Sequence, residues 1–224
     1  MPTKVPLRVD FAGGWLDVPQ YARSKAYIVN CTFSPCVTLD CWPYHFGGGI
    51  GGSAAKSVLD GLDAVAQELT FTGWQDPAAI LETGLCVWRS GPKPVLDFKV
   101  NPELLAGKMA LLWTGKPHAT GELVKHPRCF NRIEQAGSIA RLAVVNRNYS
   151  LLCSAVHQTY STQMDEGMDP LPKVDSAMAK KYCGSGHGGY AVYFFADATV
   201  RRNFKESGSV YEIIEIEPCM NFGG

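Results

Sequence analysis

The residues with the clearest chemical potential form the stretch HFGGGIGGSAAKS, residues 45–57. Five of the six residues from Gly47 to Gly52 are glycine, and Ser53 follows them. Glycine adopts backbone angles that side chains forbid, so this stretch can curl with several amide N–H groups pointing inward. A helix that begins directly after such a loop adds the positive end of its dipole, which favours a bound anion. We therefore predict that Gly47–Ser53 is a phosphate-binding loop.

The residues after this loop carry a helical pattern. Apolar side chains recur with helical spacing at Val58, Leu62, Val65, Ala66 and Leu69. This spacing predicts a helix from about Ala54 to Glu68. The alternative for the loop itself is a flexible surface segment. It matches neither the P-loop pattern, because Lys56 follows alanines and not a glycine, nor the dinucleotide-binding G-x-G-x-x-G pattern.

A candidate acid lies in the segment TGWQDPAA, where Asp76 stands between Gly73 and Pro77. Aspartate at this point of a chain can begin a helix, and it is also a favourable helix cap. The pattern alone therefore favours capping over catalysis for Asp76.

A second glycine-rich stretch, Cys183–Gly189, runs directly into the apolar and aromatic strand YAVYFF. We predict a short helix over Val174–Lys181 before it, and close backbone approach at its glycines. His187 by itself is more typical of a loop surface than of a catalytic site. Near the start of the chain, alternation predicts a strand over Val5–Ala12 that places Arg8 and Asp10 on one face.

Composition limits the partners. The chain has 224 residues, with 21 Lys plus Arg balancing 21 Asp plus Glu, so charge gives no support for a nucleic-acid or anionic membrane partner. No run of 18 apolar residues spans a bilayer, and the first residues lack a signal-peptide core, so a cytoplasmic location is expected. The eight cysteines contain no C-x-x-C pair, which favours reduced core thiols over a metal cluster.

The remaining patterns predict the other elements. They are two strand pieces in 26–40 with a break at Pro35, hairpin strands Leu85–Trp88 and Val95–Phe98, a strand Met109–Thr114, a short helix Ala119–Lys125, one long or two packed helices in 130–157 and a strand Val210–Ile216. The pair Asn101-Pro102 is the best candidate for a domain boundary.

Five segments in this order resemble the sugar-kinase branch of the GHMP kinases (galacto-, homoserine, mevalonate and phosphomevalonate kinases). The segments are VPLRVDFAGGWLDVPQYA, GGGIGGSAA, TGWQDPAA, ALLWTGKPHATGELV and KKYCGSGHGGYAVYFF. Within that branch they are most similar to the fucokinase and D-glycero-D-manno-heptose 7-phosphate kinase groups. Each segment alone is a weak signal, and their shared order makes the resemblance specific.

The resemblance implies an α+β fold in two parts. Residues 1–104 would form a half like ribosomal protein S5 domain 2, and residues 105–224 a ferredoxin-like half. It implies transfer of the γ-phosphoryl group of ATP, with Mg²⁺, to the anomeric hydroxyl of a sugar or sugar phosphate. The oligomeric state stays open, with a homodimer as one candidate.

The resemblance also implies roles for individual residues. Asp76 would act on the acceptor hydroxyl as the catalytic acid–base group. The triphosphate would be held by Gly47, Gly48, Gly49, Gly51, Gly52 and Ser53. The sugar or its phosphate would contact Arg8, Asp17, Gly184, Ser185, Gly186 and His187. Magnesium would be bound by Ser53, with Glu68 as a weaker candidate.

The chain departs from the family pattern at several points. Gly52 replaces a serine, Pro77 replaces a glutamine after the acid, and His187 replaces a glycine. Only six residues separate Asp40 from Gly47, where relatives have a longer segment that helps to hold adenine. The chain therefore resembles a shortened member. Two alternatives follow: a sugar- or nucleotide-binding protein without turnover, and a kinase for another alcohol such as an isoprenoid precursor.

Overall fold

The structure is a computed structural model that describes residues 2–69, 73–117, 127–206 and 210–219. Its strands are β1 (Val5–Ala12), β2 (Tyr27–Val37), β3 (Leu85–Arg89), β4 (Val95–Val100), β5 (Met109–Trp113), β6 (Ala177–Tyr182), β7 (Tyr190–Phe195) and β8 (Ile213–Pro218). Its α-helices are α1 (Gly52–Leu59), α2 (Ala64–Leu69), α3 (Gln75–Glu82), α4 (Phe130–Val145), α5 (Tyr149–Asp165) and α6 (Ala198–Glu206). Two short 3-10 helices, Pro19–Tyr21 and Pro102–Leu105, complete the described elements.

The strands pair in antiparallel fashion in the order β4-β3-β2-β8-β5-β7-β6, and β1 pairs with β2 outside this path. The two parts of the sheet meet only briefly, because β2 and β8 pair at Phe33 with Pro218 and at Ser34 with Glu217. Strand β1 is buried along its whole length. This central position makes β1 the element from which polar side chains can reach both parts of the fold.

Helices α4 and α5 pack on each other, and α5 also contacts β6 and β1. The close approach of α4 depends on Gly137, where an added Cβ would lie 2.2 Å from the carbonyl oxygen of Tyr27. The main apolar core contains residues from both sides of Asn101-Pro102, among them Leu7 and Leu111. The boundary at that pair therefore stays a prediction.

Several sequence predictions are confirmed and others are wrong. Strand β1, the β3–β4 hairpin and the strand after the second glycine stretch lie where predicted, and 130–157 contains two helices. The segment 26–40 forms one strand, not two pieces. The predicted helix Val174–Lys181 is strand β6, because pairing with β7 overrides local helical preference. Helix α6 was not predicted, and Ala119–Lys125 lies outside the described residues.

The helix predicted from about Ala54 to Glu68 is two helices, α1 and α2. Gly61 adopts φ 74° just after α1, and the next amide, that of Leu62, donates to the carbonyl of Ser57. A residue in the left-handed region after a helix stops it in this way. The apolar spacing continued across that stop, which is why periodicity alone missed it.

The thiols of Cys36, in β2, and Cys219, just after β8, are hydrogen-bonded to each other. This bond lowers the pKa of Cys36 to about 7, although partial burial opposes the shift. We expect the rate of Cys36 alkylation by iodoacetamide to be half of its maximum near pH 7, whereas an unperturbed thiol would reach half of its maximum near pH 9. Peptide mass spectrometry across this range, with Cys36→Ser as the blank, measures it. A rate that still climbs steeply at the upper end would contradict the prediction.

In the part of the chain that the structure describes, no helix has the length and apolar character needed to cross a membrane.

Candidate active site

The two glycine-rich stretches contact each other. The amide of Tyr190 donates to the carbonyl of Gly48 at 2.8 Å, and a Cβ on Gly48 would lie 2.6 Å from the Tyr190 ring. A Cβ on Gly184 would lie 2.9 Å from the Cα of Gly49. Any side chain at these positions would force the loops apart, so the glycines here are required for close contact. The two loops therefore lie against each other, which brings together the two stretches that the resemblance assigns to the donor and acceptor sides.

The first loop ends where α1 begins. Gly51 adopts φ 81° and caps the helix without any side-chain hydrogen bond. The first intrahelical bond is donated by Ala55, to the carbonyl of Gly51 at 2.9 Å. The amides of Gly52, Ser53 and Ala54 have no acceptor within the helix, as is general for a first turn. They present N–H groups and the positive end of the helix dipole to an anion.

Arg8 connects this loop to the candidate acid. Its Nε and Nη2 contact Oδ1 of Asp76 at 2.7 and 2.5 Å, and its Nη1 donates to the carbonyl of Gly49 at 2.9 Å. The backbone amide of Arg8 donates to the carbonyl of Ile50 at 3.1 Å. Burial opposes the charge of Arg8, but Asp76 and Asp10 outweigh it and raise the pKa of the guanidinium. Asp76 is thus held beside the first glycine-rich loop.

Asp76 lies in the first turn of α3, whose cap, Trp74, makes no side-chain hydrogen bond. The capping role that the bare pattern favoured is therefore wrong. The Asp76 side chain is 27% exposed, and it lines a cavity. Pro77 is the third residue of α3, where a missing N–H costs no intrahelical hydrogen bond, so this departure from the family pattern fits the helix.

A buried ion pair connects Arg8 and its neighbours to the second loop. The ammonium of Lys181 contacts the Asp10 carboxylate and donates to the Asp10 carbonyl at 2.9 Å. The amide of Gly184 donates to Oδ1 of Asp10 at 3.2 Å. Burial raises the pKa of Asp10, but Lys181 and Arg8 outweigh it and lower the pKa overall. Charges therefore alternate from Asp76 through Arg8 and Asp10 to Lys181.

Asp17 lies next to this row and is almost completely buried. Its carboxylate accepts from the amide of Trp15 at 3.0 Å and from the amide of Gln75 at 3.3 Å. Burial, together with the nearby charge of Asp76, raises the pKa of Asp17 to about 7. Asp17 thus orients the first turn of α3, which carries Asp76.

The pKa of Asp17 makes stability depend on pH. Its folded value of about 7 lies above the ~3.9 of an unfolded aspartate, so the folded state binds the proton more tightly. The stability that Asp17 contributes is complete below about pH 4 and is lost as pH rises through about 7. We expect the Tm of the wild type to fall relative to the Tm of Asp17→Asn as pH is raised across this range. Thermal unfolding at several pH values measures this, and a constant difference would contradict it.

A cavity of about 410 Å³ lies between the two loops, α3 and α5. The predicted site residues that line it are Arg8, Asp17, Gly47, Gly48, Gly49, Gly51, Gly52, Ser53, Glu68, Asp76, Gly184 and Ser185. Within the described residues, Gly186 and His187 are not part of the lining. A Cβ on Gly186 would lie 2.3 Å from the sulfur of Met168, and His187 adopts φ 60°, in the left-handed region.

The cavity lining also contains residues that the sequence did not single out. Arg128 pairs with Glu166 at 2.6 Å, and its guanidinium lies 3.8 Å from the ring centre of Trp15. All three line the cavity. They are far apart in the chain, so no spacing could have found them. Lys181 was missed as well, although it lies in the segment KKYCGSGHGGYAVYFF, just before the second loop.

Ser53 and Glu68 both line the cavity, which is consistent with magnesium bound mainly by phosphate oxygens and waters. Among the described residues, no group of three His, Cys, Asp or Glu could hold a metal ion without such a ligand.

Solved structures of several kinases share this architecture. The mevalonate kinase of Methanococcus jannaschii matches with a TM-score of 0.72 at 12% identity, over 96% of this chain and 97% of that one. The galactokinase of Lactococcus lactis, complexed with galactose, matches with a TM-score of 0.68 at 12% identity, over 97% and 93%. This chain has the GHMP kinase fold.

A D-glycero-D-manno-heptose 1-phosphate kinase from Bacteroides thetaiotaomicron shares the GHMP kinase fold with this chain. It matches with a TM-score of 0.66 at 15% identity, over 97% of this chain and 96% of that one. No protein-family model and no curated protein sequence matches the chain. The predicted α+β GHMP kinase fold, with its antiparallel sheet, is confirmed.

Proposed function

We propose that this GHMP-fold protein is an ATP-dependent phosphotransferase with an alcohol acceptor, and that the acceptor is a sugar. The observation that carries the proposal is Arg8, which joins the carboxylate of Asp76 to the carbonyl of Gly49. One residue thereby places a candidate proton acceptor against a loop suited to phosphate. Phosphoryl transfer needs this combination of positioning and charge stabilisation, and little covalent chemistry from the protein.

On the donor side, Gly47–Ser53 and the first turn of α1 would bind the triphosphate of ATP. Lys56, in α1, also lines the cavity and adds a positive charge. Ser53 would bind Mg²⁺, with Glu68 as a second oxygen ligand. When bound, this ion supplies charge neutralisation to the transferring phosphoryl group.

On the acceptor side, Asp76 would orient the attacking hydroxyl and accept its proton. Both contacts from Arg8 reach Oδ1, so Oδ2 is the oxygen for the acceptor. Arg8 holds the Asp76 carboxylate in position, and Gly184 and Ser185 would close against the transferring group. In this proposal Gly186 and His187 support the second loop from outside the cavity.

A sugar suits the acceptor end better than an apolar alcohol. Carboxylate and amide groups of Asp17, Gln75 and Glu166 line the cavity together with Asp76. Each of these groups already has a protein partner, but a carboxylate or amide oxygen has further lone pairs that can accept a hydrogen bond. A polyol supplies several donors to them, so an anomeric hydroxyl of the heptose or fucose type fits the proposal. The proposal places the reaction in the cytoplasm, where the eight cysteines, all free among the described residues, stay reduced.

The test is a coupled assay of the purified chain with ATP, Mg²⁺ and a panel of acceptors. The panel contains fucose, galactose, mannose, heptose, heptose 7-phosphate and mevalonate. We expect a sugar 1-phosphate from at least one sugar and none from mevalonate. Product from mevalonate alone would overturn the sugar assignment, and no product from any acceptor would overturn the kinase assignment.

A second candidate function is sugar or nucleotide binding without turnover. It is favoured by the short connection between the end of β2, at Val37, and Gly47. In relatives this connection is longer and helps to hold adenine. A ligand that raises Tm without product would support this second function, because binding stabilises by mass action.

A further inference from the structure

Two thiols meet at the place where the two parts of the sheet are joined. Strands β2 and β8 form this joint, and Ser34 with Glu217 is one of the two residue pairs that connect them. Cys36 lies near the end of β2, and Cys219 directly follows β8. Their thiols are hydrogen-bonded to each other. We call Cys36 and Cys219 the thiol pair.

The two members of the pair differ in a way that suits oxidation. Cys36 is partly exposed beside the exposed Pro35, so a small oxidant in solution can reach it, whereas Cys219 is only 4% exposed. The hydrogen bond from Cys219 lowers the pKa of the Cys36 thiol to about 7, so thiolate is present at neutral pH. A thiolate attacks peroxides, and a second thiol in contact with it completes a disulfide. The pair therefore combines an accessible nucleophile with a buried resolving thiol.

The backbone holds Cys219 more firmly than Cys36. The amide of Cys219 donates to the carbonyl of Thr32 at 2.8 Å, in continuation of the β2–β8 pairing. Cys36 lies where the pairing of β2 with β1 is irregular, between the partners of Leu7 and Val5. A disulfide holds its sulfur atoms about 2.05 Å apart, much closer than two hydrogen-bonded thiols. We therefore expect Cys36, and not Cys219, to shift when the bond forms.

A shift of Cys36 reaches the first glycine-rich loop through Tyr44. The Tyr44 hydroxyl donates to the carbonyl of Pro35, the residue before Cys36, at 2.7 Å. The Tyr44 ring packs edge-on against the ring of Tyr190, with centroids 6.3 Å apart. The amide of Tyr190 in turn donates to the carbonyl of Gly48 at 2.8 Å. Movement at the thiol pair thus displaces groups that hold the loop in its curled conformation.

We propose that hydrogen peroxide converts the thiol pair into a reversible disulfide, and that this disulfide weakens anion binding at the first glycine-rich loop. The disulfide itself does not depend on the proposed kinase activity, whereas its effect on the loop rests on the proposed binding of phosphate there. In a reducing compartment such a disulfide is transient, as is usual for redox-sensing cysteines.

Disulfide formation takes two steps. The Cys36 thiolate attacks one oxygen of hydrogen peroxide, the O–O bond breaks, and hydroxide leaves and takes up a proton to give water. The Cys219 sulfur then attacks the sulfenic acid on Cys36, the S–O bond breaks, and water leaves with the thiol proton. The two thiols together lose the two electrons that the peroxide gains. A dithiol reductant such as dithiothreitol reverses the change by thiol–disulfide exchange.

The experiment treats the reduced chain with a small excess of hydrogen peroxide, blocks the remaining thiols with iodoacetamide and maps disulfides by peptide mass spectrometry. We expect a disulfide between Cys36 and Cys219 that dithiothreitol removes. Titration calorimetry with inorganic triphosphate and Mg²⁺ measures the effect on the loop. We expect oxidation to raise the Kd about tenfold, within the usual range for coupling between two sites, and reduction to restore it.

Four variants isolate the pair and its route to the loop. Cys36→Ser and Cys219→Ser cannot form the disulfide, so peroxide is expected to leave their triphosphate Kd unchanged. Cys41→Ser is the matched control, because it removes an exposed thiol from the segment after β2, and it is expected to respond as the wild type does. Tyr44→Phe keeps the ring but loses the bond to Pro35. It is expected to form the disulfide, with a smaller change in Kd between its reduced and oxidised forms.

Each possible failure has a distinct meaning. The pair is overturned if peroxide leaves both thiols free, or if Cys219 bonds instead to Cys31, a buried thiol that also lies near it. A disulfide between Cys36 and Cys219 without a change in the triphosphate Kd overturns its control of the loop. If the reduced wild type binds no triphosphate, the proposed role of the loop fails and its control by the pair fails with it, while the peptide map still decides whether the disulfide forms.

Discussion

Asp76→Asn is expected to lower kcat for phosphoryl transfer to the best sugar acceptor about 10²–10⁴-fold, the usual contribution of a positioned acid–base group. The asparagine keeps the shape of the side chain but cannot accept the proton of the attacking hydroxyl. Binding of ATP is expected to stay within about twofold, because the donor loop is left intact. Steady-state kinetics and nucleotide titration measure the two effects separately.

The matched control for this variant is Glu82→Gln, at the other end of α3. Glu82 pairs with Lys99 at 2.7 Å on the surface and does not line the described cavity. The Glu82→Gln variant removes one negative charge from the same helix, so its kcat is expected to equal that of the wild type. Equal kcat values for Asp76→Asn and Glu82→Gln would refute the role of Asp76.

Lys181→Met is expected to lower the free energy of unfolding by about 3–5 kcal/mol, the usual cost of removing one partner from a buried ion pair. The change leaves the Asp10 carboxylate buried without its ammonium. Asp10 also accepts from Gly184 and contacts Arg8, so both loops are expected to loosen. Urea denaturation at neutral pH measures the loss.

Two further variants test this interpretation. Lys173→Met removes an ammonium that pairs with Asp175 on the exposed surface, where ion pairs contribute little to stability. Its free energy of unfolding is therefore expected to equal that of the wild type. The double variant Asp10→Asn with Lys181→Met removes both charges. Its loss in the free energy of unfolding is expected to be smaller than the sum of the losses in the two single variants. Strict additivity of the two losses would show that the pair does not act as a unit.

Local sequence patterns identified most of the parts. Strand β1, the glycine-rich stretches and the position of Asp76 follow from residue type and spacing, because strand alternation and glycine backbone freedom act over a few residues. The same patterns failed over 174–181 and at the end of α1. In the first case pairing with β7 outweighs helical preference, and in the second the left-handed Gly61 stops a helix whose apolar spacing continues.

The sequence by itself determined two anion-compatible loops, an acid between them in the chain, and an ordered set of motifs that resembles one kinase superfamily. Only the tertiary structure decided that the acid meets the first loop through Arg8, that Lys181 joins Asp10, and that the thiols of Cys36 and Cys219 meet. Glycine freedom and residue spacing are local properties of the chain. Ion pairing and thiol contact depend on which distant segments the packed core brings within a few ångströms, and no local pattern encodes that distance.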